Sequence, residues 1–267
     1  MTPISHPPTL VLGDLHHRTS AADRAISNFS SRCPRVVLLG DFFDDFGDSP
    51  EKMRATCRCL RTSLEDPNRT HLLGNHDAAY LLPYNPQSAC PGWTGEKQRI
   101  FDREMAGADL TLFEVAKEVG PWLLSHAGFG PELLEQWGII GLPAQAQREW
   151  NTAAREEWTP LFDIGRSRGG RSGRGGVLWM DWNSEFRPLS GLNQIVGHTP
   201  SRGVARAKCL TVAGAHRALE LQNPSADLTK LRLPQPGSEF SSVNWCLDTV
   251  MTLAAIIEDG RIEIVPI

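Results

Sequence analysis

The chain has 267 residues, 40% of them hydrophobic and 22% charged, with 24 glycines and 19 prolines, a balance that excludes disordered, collagen-like and low-complexity classes. A formal net charge of -4 excludes bulk electrostatic binding to nucleic acid or anionic lipid, so any phosphate-binding ability must be local. No apolar run approaches the ~18 residues of a membrane-spanning helix, the first residues lack a secretory pattern, and the six cysteines contain no CxxC pair, so a cytoplasmic chain with reduced thiols is expected.

In chain order, short Val/Leu/Ile-rich runs bounded by turn residues at 9–13, 35–40, 71–74, 122–125 and 194–197 read as buried strands. Between them, 20–31 (with a serine as N-cap), 50–64, 96–119 (closing at Gly120-Pro121) and 143–158 read as helices. This alternation predicts an α/β fold. Near the end, 253–257 and 261–265 flank Asp259-Gly260, which predicts a tight antiparallel hairpin. One domain over 1–267 is expected. Two segments stand apart from regular structure. The first is the 165–176 stretch, with six glycines and four arginines in twelve residues, which reads as a mobile basic loop. The second is the turn-rich excursion 221–242.

Three of the predicted strands end in glycine followed by a potential ligand: Gly13-Asp14-Leu15-His16, Gly40-Asp41-Phe42-Phe43-Asp44 and Gly74-Asn75-His76-Asp77. Two more end in Ser125-His126-Ala127-Gly128 and Gly197-His198-Thr199-Pro200. Ligands in open α/β sheets collect beyond the carboxyl ends of strands, and glycine there permits a sharp turn and leaves room for an ion. Singly, each Asp or His would read as a turn or capping residue; their joint order points to a metal site. His6, His71 and His216 match no motif and read as surface or satisfied polar groups.

In this order the motifs resemble the calcineurin-like metallophosphoesterase superfamily, over about residues 10 to 260. The closing GHTP, the SHAG segment and Leu178-Trp179-Met180-Asp181 resemble its phosphoprotein-phosphatase branch, which includes Ser/Thr phosphatases and symmetrical dinucleoside tetraphosphatases. The resemblance implies a four-layer α/β/β/α sandwich with two mixed β-sheets. It also implies two divalent ions, Mn first with Fe or Zn as alternatives, since the mixed O and N donors disfavour a thiolate-preferring metal. Asp14, His16 and Asp41 would hold one ion, and Asp41, Asn75, His126 and His198 the other. Hydroxide activated between the metals would attack a phosphate monoester, and His76, oriented by Asp44, would protonate the leaving group as general acid.

The chain departs from the branch at two places, with His17 where the pattern has Gly and Asp45-Phe46 where it has Arg-Gly. The phosphate-clamping Arg is thus missing. Asp45 is expected to turn away or to pair with His17 or Arg18, and Arg18 or an arginine of the basic loop, Arg174 first, to supply the lost contact. Residues 80–93 read as a pocket wall or a connector, and the basic loop as a solvated loop, a lid or an RNA contact. The expected partner is a phosphorylated small molecule, nucleotide or phosphoprotein, with no membrane and with nucleic acid disfavoured. Other readings stay open: a phosphodiesterase or dinucleoside polyphosphate hydrolase, an RNA-end phosphatase, and a non-catalytic binding module that keeps the fold.

Overall fold

Strands β1 (Thr9–Leu12), β2 (Arg35–Leu38) and β3 (Arg69–Leu72) are parallel neighbours in the computed structural model, which describes residues 7–138, 140–153, 159–222, 233–237 and 239–267. Their side chains alternate between two buried layers. Leu10, Leu12, Val36 and Leu38 pack toward the helices, whereas Val11, Val37 and Leu72 pack toward a second sheet. A strand covered on both faces has no polar side to show, which explains the nearly unbroken apolar runs.

Helices α1 (Thr19–Phe29) and α2 (Pro50–Leu64) make the crossovers. In α2, Ser49 caps the Lys52 amide, Pro50 sits at the first position, and Met53, Cys57, Leu60 and Leu64 form the buried stripe. Helix α1 begins a residue earlier than expected, with Arg18 at the cap position and no side-chain cap, so the serine is not its cap. Helix α3 (Asn75–Leu81) follows β3 directly.

The predicted helix over 96–119 is corrected by the structure. Helix α4 (Gly95–Glu104) stops before Gly107, whose φ of +79° lies in the left-handed region, and the chain then forms β4 (Phe113–Glu114) and β5 (Ala116–Val119). Strand β5 turns at Gly120-Pro121 into β6 (Trp122–Ser125) as an antiparallel pair. Helices α5 (Pro131–Trp137) and α6 (Leu142–Ala153) follow; residues 154–158 of the last predicted helix lie outside the described residues.

The remaining strands are β7 (Asn193–Val196), β8 (Val204–Thr211), β9 (His216–Gln222), β10 (Phe240–Cys246), β11 (Leu253–Glu258) and β12 (Arg261–Pro266). One six-stranded sheet runs β12-β11-β1-β2-β3-β4 and the other β5-β6-β7-β10-β8-β9. Both are mixed. Trp122, Leu124, Ile195 and Trp245 of the second sheet meet Val11, Val37, Ala255 and Ile257 of the first, giving the expected α/β/β/α sandwich. Asp259 and Gly260 both have positive φ, 49° and 75°, the geometry of the predicted hairpin turn.

The excursion 221–242 begins and ends in strand: Leu221 and Gln222 close β9 and Phe240 to Ser242 open β10, while 223–232 lie outside the described residues. The basic loop is packed at Gly165, Gly170, Gly175 and Gly176, where a loose loop was expected, while Gly169 and Gly173 stand open. A β-carbon on Gly170 or Gly176 would meet backbone oxygens at 1.9 Å, and the Glu185 carboxylate accepts the amides of Ser167, Gly175 and Asp181. All six cysteines are free, and among the described residues no helix is long and apolar enough to cross a membrane.

Candidate metal centre

Strand ends from both sheets converge on one cluster. Asp14 and His16 follow β1, Asp41 and Asp44 follow β2, Asn75 and His76 open α3, His126 follows β6 and His198 follows β7. The glycines that precede these ligands allow close approach. A β-carbon on Gly74 would lie 2.1 Å from Asp41 Oδ1, and one on Gly197 would lie 2.0 Å from Asp14 Oδ1. Asp41, Asp44, His16 and His198 have positive φ, a strained backbone held by its surroundings. Part of that hold is Asp77, whose carboxylate accepts the amides of Asp41 (2.8 Å), Phe42 (2.8 Å) and Gly74 (2.9 Å).

The histidines are aimed by carbonyls, which only accept. His126 Nδ1–H donates to Leu39 O at 2.9 Å, and His16 Nδ1–H donates to Phe43 O at 3.0 Å and Asp44 O at 2.5 Å. Each Nε2 therefore faces the cluster. Asn75 Nδ2–H donates to Cys90 Sγ (3.1 Å), which turns its oxygen inward. His126 Nε2 then lies 3.0 Å from Asn75 Oδ1, 3.4 Å from Asp41 Oδ2 and 3.1 Å from His198 Nδ1. On the other side of Asp41, His16 Nε2 is 3.7 Å from Asp41 Oδ2 and 4.0 Å from Asp14 Oδ2. Both Asp14 oxygens also accept the His198 amide at 3.0 Å.

This arrangement fits cations. Lone pairs of nitrogen and oxygen converge in a buried space, and they repel unless positive charge lies between them. Nitrogen and carboxylate oxygen atoms of His16, Asp41 and His76 lie within 4.8 Å of one another, as do those of Asp41, His126 and His198, with Asp41 common to both groups; Asp14, expected beside His16 and Asp41, belongs to neither group and stands 4.0 Å from His16 Nε2. His198 faces this cluster through Nδ1, 3.1 Å from His126 Nε2. The protonation pattern gives the same picture. Burial would lower His126 and His16, yet the Asp41 and Asp14 charges push them up to about 10 and about 9. His198 is instead held well down by burial and the neighbouring His126 charge. Asp14 is raised by burial and by Asp248, whereas the histidine charges outweigh burial and hold Asp41 down. The pocket demands positive charge, which a divalent ion supplies without protons.

Beside this cluster, His76 Nδ1–H donates to Asp44 Oδ2 at 3.1 Å and the His76 amide donates to Asp41 Oδ1 at 3.0 Å. Asp44 Oδ1 accepts Tyr80 Oη–H (2.7 Å) and Lys97 Nζ (2.8 Å). Burial would raise Asp44, but the hydrogen bonds from His76, Lys97 and Tyr80 outweigh it and hold the carboxyl below the usual range. Residues 80–93 wall this side through Cys90 on Asn75 and through Gly92, where a β-carbon would touch Asp44 at 2.9 Å.

Asp45 pairs with Arg18 at 3.2 Å, one of the two partners anticipated for it; His17 instead contacts Asp48 and Thr56. Arg174 is not tied to the cluster and is held by Glu132. From the same loop, Arg168 reaches the site. It donates to the GHTP segment at His198 O (3.4 Å) and Thr199 Oγ1 (3.1 Å), and it pairs with Asp181 at 3.2 Å. Motif reading missed Lys97, Tyr80 and Asp48, and within the basic loop it put Arg174 ahead of Arg168. Nothing in the sequence separates Arg168 from its loop neighbours or marks Lys97 within its helix; only the packing does.

A family profile described as calcineurin-like phosphoesterase matches residues 7–228. No curated protein matches the chain. Among solved structures, a cold-active protein-tyrosine phosphatase of a psychrophilic Shewanella species superposes with a TM-score of 0.53 at 13% identity, over 97% of this chain and 77% of that one. A protein serine/threonine phosphatase from Saccharomyces cerevisiae gives 0.46 at 12% identity, over 100% of this chain and 81% of that one. At such identity the Shewanella match shows a shared fold.

Proposed function

Because the chain belongs to the calcineurin-like phosphoesterase family and is a metal-dependent hydrolase of phosphoric esters, we propose that its substrates are phosphate monoesters and that His76 is the proton donor. Asp14, His16 and Asp41 would hold one divalent ion and Asp41, Asn75, His126 and His198 a second, with Mn the first choice. When bound, such ions supply positive charge to the phosphoryl oxygens and make water more acidic. The chain's own residues do the rest.

Asp44 stays ionised at neutral pH and holds the His76 ring with Nδ1–H inward, leaving Nε2 as the end that faces a leaving alkoxide. The His76 amide is fixed on Asp41, so the proton donor is tied to the residue shared by both ligand groups. That tie is the observation that supports monoester hydrolysis best: it sets a proton donor beside a site built to neutralise a phosphate dianion.

The test is hydrolysis of an aryl phosphate monoester and the corresponding diester by metal-stripped protein with Mn added back, comparing wild type with His76→Ala and Asp41→Asn. The expected result is Mn-dependent turnover, faster on the monoester, lost in Asp41→Asn and reduced in His76→Ala, the more so the poorer the leaving group. Faster turnover of the diester would overturn the monoester reading, and turnover that survives His76→Ala on a poor leaving group would remove His76 as the acid.

A further inference from the structure

Resting on the reading of His76 as proton donor, we propose that Lys97 is a positioning residue for the reaction, acting through Asp44. Its ammonium group donates to Asp44 Oδ1 (2.8 Å), Asp48 Oδ2 (2.6 Å) and the Gly92 carbonyl (2.7 Å), and its side chain is 11% exposed. All three protons are in use, so Lys97 has no donor left for substrate.

The two oxygens of Asp44 are divided. Lys97 and Tyr80 occupy Oδ1, and Oδ2 is left for His76. This division sets the plane of the carboxylate and therefore the direction in which it holds the imidazole. The backbone is shaped to allow it. Thr94 caps α4 by accepting the Lys97 amide, which fixes Lys97 in the first turn, and Gly92, at φ +96°, packs where a β-carbon would strike Asp44. Beyond Asp48 the network continues to His17, whose Nε2–H donates to Asp48 Oδ2 at 3.1 Å while its Nδ1 accepts the Thr56 hydroxyl at 2.8 Å. Without Lys97, Asp44 and Asp48 would be two carboxylates sharing one pocket with no cation between them, and Asp44 would turn from His76.

The experiment compares Mn-loaded wild type, Lys97→Met, Lys97→Arg and the double variant Lys97→Met/Asp48→Asn, which keeps the local charge balanced should the single variant fold poorly. Each is assayed on phenyl phosphate and on p-nitrophenyl phosphate, whose more acidic leaving group needs less protonation, with His76→Ala as the benchmark. The expected result is a kcat loss at least ~10-fold greater on phenyl phosphate than on p-nitrophenyl phosphate in both methionine variants, in the direction shown by His76→Ala. Lys97→Arg should bring that ratio most of the way back. Equal losses on the two esters, or none, in variants that keep their metal would overturn the proposal while leaving His76 as the acid. If His76→Ala itself treats the two esters alike, the reading of His76 falls and the role of Lys97 falls with it.

Discussion

Replacing Gly74 with alanine should damage the metal centre without touching a ligand. Gly74 has φ -97° and ψ 170°, a conformation open to alanine, so backbone strain is not the issue. Space is. The new β-carbon would stand 2.1 Å from Asp41 Oδ1 and 2.4 Å from the Asp41 amide nitrogen. Asp41 or the end of β3 must then move by about 1 Å, several times the ~0.2 Å within which metal–ligand distances hold. Asp41 belongs to both ligand groups and also anchors the His76 amide, so both would be disturbed together. We expect Gly74→Ala to lose at least ~10-fold in Mn affinity and ~1–3 kcal/mol in stability. Metal titration and urea unfolding measure these, with Gly173→Ala, which has no atom within 4 Å of the added methyl, as the neutral control. Wild-type Mn affinity in Gly74→Ala would refute the argument that this glycine makes room for the shared carboxylate.

His71 is buried against Ser63, and burial, helped by the Arg69 charge, lowers it to about 4. Its neutral form belongs to the folded state, so stability is full above pH ~6.5 and falls by up to ~3 kcal/mol as pH drops toward 4; a His71→Gln variant should show a flatter urea midpoint over that window. Arg168→Ala should weaken Mn binding by loosening the His198 backbone, whereas Arg174→Ala, which frees only Glu132, should leave metal titration unchanged. Equal effects would remove the distinction between the two arginines. Asp45→Ala should change stability by less than ~1 kcal/mol, since the pair with Arg18 is partly exposed, but should lower KM for a phosphate monoester by roughly threefold if the freed guanidinium reaches substrate; an unchanged KM excludes Arg18 from substrate binding.

The convergence of Asp14, Asp41, Asn75, His126 and His198 is legible in the sequence because each sits at a strand end next to a small residue, and strands buried on both faces announce themselves as apolar runs. The stretch 96–119 misleads because its apolar residues suit helical spacing until Gly107, while Phe113 and Val119 belong to strands that only sheet pairing reveals. The arginines of the basic loop are equivalent in sequence; the Glu185 carboxylate, by gripping the amides of Ser167 and Gly175, determines which of them meets His198. The departures at 17 and 45 need the same correction. As letters they are a lost glycine and a lost arginine, but in space His17 joins the Asp48–Lys97–Asp44 network and Asp45 takes Arg18. Each finds its partner outside its own motif, Asp48 for His17 and Arg18 for Asp45. The positive charge missing after Asp44 in the chain returns as Lys97, bound to the carboxylate oxygen that His76 does not use, where it can orient the acid pair but has no free donor for a phosphate.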